Sequence, residues 1–185
     1  MGADAVKEIR IHARAGQGAI TVANLLGAAA FVEGKYALTF PHFGAARMGA
    51  PMNAFVRVSD EPIRLRSQIY EPDFLIVVDP TLIESYNVFD GLKSDGAAVV
   101  NRPTCEGLES PNAGTVVCVP ASEIADEVIG RPFANTTLLG AFAAASGLIS
   151  LESVEQVIAE RFAERLAETN AKAAKRGYEF VASQQ

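Results

Sequence analysis

The side chains able to do chemistry lie in a few short runs. The first is Ala13-Arg14-Ala15-Gly16-Gln17-Gly18, set between a β-type segment and a long apolar stretch. Ala13, Ala15 and Gly18 overlay the three glycine positions of G-x-G-x-x-G, a loop that brings backbone amides and a helix N-terminus against a phosphate. Two of the three positions carry a methyl group, so residues 13 and 15 are expected to keep negative φ, and a ligand's phosphates are pushed outward. No Lys-Ser/Thr pair follows Gly18, which excludes a Walker-type nucleotide loop. A plain tight turn without a ligand is the alternative. The second run, residues 41–51, is expected to be a loop and holds His42, Arg47 and Met48. Arg14 and Arg47 have the forked donors that clamp a phosphate or carboxylate, whereas a lone His42 is more simply a packing histidine. Asp79, Asn101 and Ser122 also fall at strand ends, where ligands bind in open α/β sheets. Asp79, just before Pro80, suits a helix cap better than a general base.

Other chemistries lack their residues. His12 and His42 are the two histidines, and Cys105 and Cys118 stand 13 apart, so neither a zinc site nor an iron–sulfur cluster has its ligands. No G-x-S-x-G elbow occurs. Both cysteines are expected to be structural, in a reducing, cytoplasmic setting. An NAD site would want a carboxylate at the end of the second strand, and Leu38-Thr39-Phe40-Pro41 offers none.

The elements that position these runs follow from periodicity. Residues 8–12 form a strand, and Ala19–Val32 is too long and too apolar for anything but a helix covered on more than one side, a first hint of a partner surface. Residues 36–40 form a second strand. Met52, Ala54, Val56 and Val58 alternate with polar neighbours, and with Ile63 to Arg66 after a Ser59–Pro62 turn they suggest an inserted hairpin. Unbroken apolar runs at 74–78, 97–100 and 115–119 suit parallel strands buried on both faces. Helices are expected around 82–89 and 122–129, over 136–146 with Asn135 as N-cap and Gly147 as stop, and over 151–175 with Ser150 as N-cap. The last is read as an outer amphipathic helix. The whole is an α/β fold: one Rossmann-like domain over residues 1–185 with its core at about 8–148, and a mostly parallel sheet with helices on both faces.

The composition of the 185 residues agrees, with 49% hydrophobic and 21% charged side chains. A net charge of −6 and a pI near 5.0 argue against a nucleic-acid partner. No apolar run reaches the length of a membrane span, and the N-terminus lacks the features of a signal peptide. The mean hydropathy of +0.17 is high for a freestanding domain and again points to a covered surface.

Taken together, the motifs resemble a known family. Arg10 to Ala19 is similar to the G-R-G-G-Q-G opening of the gamma subunit of 2-oxoacid:acceptor oxidoreductases, the pyruvate:ferredoxin oxidoreductase family. Gly44 to Pro51 resembles its G-P-E-R-R-G-A-P segment. Ile63–Gln68 with Glu71-Pro72-Asp73, Val78-Asp79-Pro80 and Asn135 to Ala141 follow in the family's order, so the likeness spans residues 8–145. It implies a subunit of an enzyme that oxidatively decarboxylates a 2-oxoacid and passes the acyl group to coenzyme A. Thiamine diphosphate, magnesium and [4Fe-4S] clusters would then sit on partner alpha, beta and ferredoxin-like delta subunits. This chain would not be catalytic itself; it would help form the coenzyme A site with Arg14, Ala15, Gly16, Gln17, Gly18, His42, Arg47, Met48, Asn135 and Thr136. Ala13, Ala15, Ala46 and Met48 depart from the family pattern and make the loops more apolar, which suggests a bulkier acyl group, such as that of an aromatic 2-oxoacid of the phenylglyoxylate kind. A freestanding NAD(P)-binding oxidoreductase and a purely architectural subunit are the alternatives.

Overall fold

The computed structural model describes residues 6–43, 48–108 and 114–184. Strand β1 (Lys7–Arg14) is central to the fold and buried on both faces, one apolar and one polar. Ile9, Ile11 and Ala13 lie on one face with no exposure at all, and Arg10 and His12 are buried on the other. The strands β2 (Tyr36–Phe43), β3 (Pro51–Ser59), β4 (Phe74–Val77), β5 (Ala97–Asn101) and β6 (Thr115–Val119) complete one sheet in the order β2-β3-β1-β4-β5-β6. β1, β4, β5 and β6 run parallel, while β3 is antiparallel to both β1 and β2. The C-terminal ends of the parallel strands, the start of β3 and the end of β2 therefore share one edge.

The hairpin exists, but with a different partner. β3 pairs with β2 along its length, from Tyr36 opposite Ser59 to Phe43 opposite Met52, and residues 63–66 form no strand. Their carbonyls are claimed by buried arginines instead. Arg57 donates to the carbonyls of Leu65 at 3.2 Å and Ser67 at 2.8 Å, and Arg10 reaches that of Ile69 at 3.3 Å. The longer β2 also makes His42 a strand residue rather than a loop residue. Pro41, which has no N–H to give, is tolerated because β2 is an edge strand.

Helix α1 (Ala19–Val32) matches its expected limits. The chain continues through α2 (Leu82–Ser85), α3 (Ala121–Ile129), α4 (Asn135–Ser146), α5 (Leu151–Arg161) and α6 (Glu164–Ala182). The helices are not shared evenly between faces. α1, α3, α4, α5 and α6 join the core over Ile9, Ile11, Val56 and Ile76, while the opposite face over Leu75, Val77 and Ala98 is covered by α2 and the segment to Leu92. Part of the second side of α1 is covered within the chain: Val154, Val157 and Ile158 of α5 join Val22, Leu25 and Leu26 of α1 in one core. Ile20, Phe31 and Val32 of α1 stay exposed, Phe31 at 74%.

The single C-terminal helix expected over 151–175 is two helices, broken where Phe162 and Ala163 turn extended. α6 is no outer decoration. A β-carbon at Gly140 would overlap the Ala174 carbonyl, and one at Gly177 the Thr137 carbonyl, so the α4 and α6 backbones touch. Cys105 and Cys118 are joined in a disulfide, their Cα atoms 5.4 Å apart, where the sequence suggested a reducing setting. No described helix is long and apolar enough to cross a membrane.

Candidate functional site

The loop after β1 is shaped by its own hydrogen bonds. The Arg14 amide donates to Gln17 Oε1 at 2.7 Å, and the Gln17 amide donates back to the Arg14 carbonyl at 3.0 Å. This tight closure puts Gly16 at φ +97° and Gly18 at φ +81°, conformations that a residue with a β-carbon adopts only at a cost. A second loop is zipped to it, the Ala15 amide donating to Ala50 at 2.8 Å and the Gly49 amide to Ala15 at 3.0 Å. The amides of Gly16 and Gly18 donate to no atom of the described residues. They stand at the N-terminus of α1, whose orphan amides and dipole favour an anion.

Several of the expected residues converge here. Met48 lies over Gly16, its Sδ 2.7 Å from where a β-carbon would stand, and the Asn135 carboxamide fills the space beside Gly18. Asn135 does not cap α4; Ala134 holds that position, and Asn135 Oδ1 is buried without a partner. Thr136 is drawn away: it is 1% exposed and its hydroxyl donates to Asn170 Oδ1 of α6 at 3.0 Å. His42 is also apart, next to Gln68 across another cavity. Arg47 lies outside the described residues.

Arg14 is not a free clamp. Its Nε is 3.2 Å from Asp79 Oδ2, and its other nitrogens donate to Thr81 Oγ1 at 3.1 Å and to the Gly49 carbonyl at 3.2 Å. Asp79 in turn accepts from Gln17 Nε2 at 2.7 Å and from the Thr81 amide at 3.0 Å; it closes the turn before α2, whose N-cap position is held by Thr81 rather than by Asp79. Partial burial pushes the Asp79 pKa up, but the Thr81 and Gln17 hydrogen bonds and the Arg14 charge outweigh it and hold the group below the usual carboxylate range. Arg14 therefore fixes the loop more than it offers net positive charge.

Beside this cluster a crevice of about 410 Å³ opens between the ends of β4, β5 and β6, lined by Gly16, Gln17, Asp79, Asn101, Ser122 and Phe133. Asn101 holds its far wall, donating to the Val78 carbonyl at 3.0 Å and accepting from the Ser122 amide at 3.0 Å. Phe133, half exposed at the rim, and Thr81 were not singled out in the sequence. Thr81 had a usable signal in its place two residues after Asp79; Phe133 had none.

A family model described as pyruvate ferredoxin/flavodoxin oxidoreductase matches residues 8–180. The chain belongs to that family. Among its relatives, the "Pyruvate/ketoisovalerate oxidoreductases common subunit gamma" of Thermococcus kodakarensis is 49% identical over 92% of this chain and 95% of its own. The "Pyruvate synthase subunit PorC" of Methanosarcina barkeri is 50% identical over 83% of this chain and 85% of its own. The crystal structure of the pyruvate oxidoreductase subunit PORC from Thermotoga maritima superimposes with a TM-score of 0.83 at 37% identity, covering 94% of this chain and 96% of that one. The 2-oxoglutarate:ferredoxin oxidoreductase of Magnetococcus marinus shares the fold at 23% identity, with a TM-score of 0.82; all of this chain matches 32% of that one. Within the pyruvate ferredoxin/flavodoxin oxidoreductase family, the chain is the gamma subunit of a 2-oxoacid:ferredoxin oxidoreductase complex, and this displaces the freestanding NAD(P)-binding alternative.

Proposed function

We propose that this gamma subunit forms one wall of the coenzyme A site of its complex, holding the anionic part of the carrier at the N-terminus of α1. The observation that carries the reading is the pair of amides at Gly16 and Gly18, without partners among the described residues and presented by a loop zipped to the Met48–Ala50 segment. Each amide bonded to a phosphate oxygen contributes about 1.5–3 kcal/mol, as charged hydrogen bonds do. Arg47 would add a guanidinium to the same anion; Arg14 and Gln17 act mainly by keeping the loop closed. Coenzyme A accepts the acyl group, and this chain's part is to bind and orient the carrier. Thiamine diphosphate with its magnesium, and the [4Fe-4S] clusters, belong in this reading to alpha, beta and ferredoxin-like delta subunits, and the complex to the cytoplasm. Met48 rests on Gly16, so it bears on the carrier's loop rather than on the choice of 2-oxoacid. With relatives named for pyruvate and ketoisovalerate, we take aliphatic rather than aromatic 2-oxoacids as the substrates. Relative rates on pyruvate, ketoisovalerate and phenylglyoxylate decide that point.

One feature favours the architectural alternative: Asp79 and Glu123 line the crevice beside the loop and repel phosphates from it. Gly16→Ala in the assembled complex separates the two readings. Its methyl group meets Met48 and resists φ +97°, so the KM for coenzyme A should rise about tenfold, equivalent to about 1.4 kcal/mol, with the KM for the 2-oxoacid unchanged. An unchanged KM for coenzyme A refutes the site and leaves the architectural role.

A further inference from the structure

A second cavity, of about 340 Å³, opens on the same sheet edge, across the 79–82 connection from the crevice, and lies within the roughly 300–1,000 Å³ range of small-molecule sites. It sits between the ends of β1 and β2, the start of β3 and the chain after β4. Its floor is apolar: Phe55, Ile69 and Leu82 are at most 2% exposed. Two buried titratable residues reach it, and both are spent on the protein itself. Arg10 spends its guanidinium on His12 Nε2 at 3.0 Å and on the carbonyls of Ile69, Tyr70, Val88 and Asp90. His12 is neutral, accepting from Arg10 on one nitrogen and bonded to the Val88 carbonyl through the other. The Asp90 side chain at the rim makes the cavity still less suited to a phosphate.

What the cavity does offer is stacking surface and a carboxamide edge. Tyr70 and Tyr86 stand at its mouth, 71% and 52% exposed. A base can stack on such rings whatever its pattern of donors and acceptors. The half-buried Asn53 lines the wall, and its side-chain amide has no partner among the described residues; Asn87 is the same. A carboxamide pairs with adenine through the amino group and the adjacent ring nitrogen, one donor and one acceptor on each side.

We infer that this cavity, read by the Asn53 carboxamide and closed by Tyr86, takes the adenine ring of the same carrier whose phosphates lie on the Gly16–Gly18 loop. The inference rests on the coenzyme A reading above. It gives the two cavities one ligand and assigns to its uncharged part the pocket whose Arg10 is already bound to carbonyls.

The test is kinetic, on the assembled complex, with coenzyme A and its 1,N6-etheno analogue, whose base-pairing edge is blocked. Asn53→Ala should raise the KM for coenzyme A about tenfold and leave that for the etheno analogue unchanged. Tyr86→Ala, at an exposed position, should raise both. If neither variant moves the coenzyme A KM while Gly16→Ala does, the base binds elsewhere and this inference alone is overturned. If Gly16→Ala is silent too, the coenzyme A reading fails with it. An equal rise for both carriers in Asn53→Ala also overturns the assignment of Asn53 as the reader of the base.

Discussion

Arg10 Nε donates to His12 Nε2 at 3.0 Å, and this one bond sets the protonation state of a histidine at the heart of the sheet. Because Nε2 accepts, the proton is on Nδ1, facing the Val88 carbonyl. Burial and the neighbouring Arg10 charge push the His12 pKa down to about 3 from an ordinary value of 6.5.

The folded chain therefore resists a proton that the unfolded chain accepts. Stability from this residue is complete above pH 6.5 and is lost as the pH falls toward 3, by up to about 1.4 kcal/mol per pH unit. Between pH 6.5 and 5 this amounts to about 2 kcal/mol. Urea midpoints at pH 7 and 5 should drop more for the wild type than for His12→Asn. Equal drops would show that His12 does not carry the acid sensitivity.

A second pH-dependent tie joins α1 to α5. Glu33 Oε1 accepts from the Ser150 amide at 2.6 Å and the Ser153 hydroxyl at 2.8 Å, while Lys35 meets its other oxygen at 3.1 Å. Partial burial raises the Glu33 pKa, but these hydrogen bonds outweigh it and bring it down to about 2. The stability it gives is present above the ordinary value near 4.5 and is lost as the pH falls through 2. The site is partly solvated, so Glu33→Gln should cost only about 1 kcal/mol at neutral pH. The gap between the melting curves of variant and wild type should shrink from about pH 4.5 downward and close only near pH 2; a constant gap would deny the carboxylate its role.

The α4–α6 contact gives a prediction of sign. A glycine in a helix interior normally gains about 1 kcal/mol on replacement by alanine. Gly140→Ala and Gly177→Ala should instead destabilise by about 1–3 kcal/mol or more, because each new methyl group meets a backbone carbonyl of the other helix. Thermal or urea unfolding checks this, and a stabilised variant would mean that the two helices are farther apart.

The same contact shows where the sequence was legible and where it was not. The strand–loop–helix at residues 7–32 could be read because the hydrophobic runs and Gly34 mark its limits locally. The parallel strands could be read because burial on both faces leaves an unbroken apolar run. Residues 63–66 misled because alternation marks a strand only if the backbone pairs, and here the side chain of Arg57 on β3 takes the carbonyls of Leu65 and Ser67. α6 misled because its buried side is made of Ala173, Ala174 and Gly177, small residues that leave little hydrophobic signal. At the site, Gly16, Gln17, Gly18, Met48 and Asn135 were found from local motifs. The Arg14–Asp79 pair was not, since nothing local says that positions 65 apart in the sequence will neutralise each other.

The Cys105–Cys118 bond has a direct check. The purified chain should show no thiol reactive to Ellman's reagent in denaturant until a dithiol is added, and two afterwards. Closing a loop of this length contributes about 3 kcal/mol, so reduction should lower the midpoint of unfolding. Two thiols before reduction would show that the pair is open in the protein as isolated.

Amide hydrogen exchange across residues 14–21, in the assembled complex with and without coenzyme A, tests the role of the α1 N-terminus most directly. The carrier should slow exchange in that peptide, where the Gly16 and Gly18 amides have no partner among the described residues, and leave α6 unaffected. Unchanged exchange there at saturating coenzyme A would mean that this subunit does not hold the carrier.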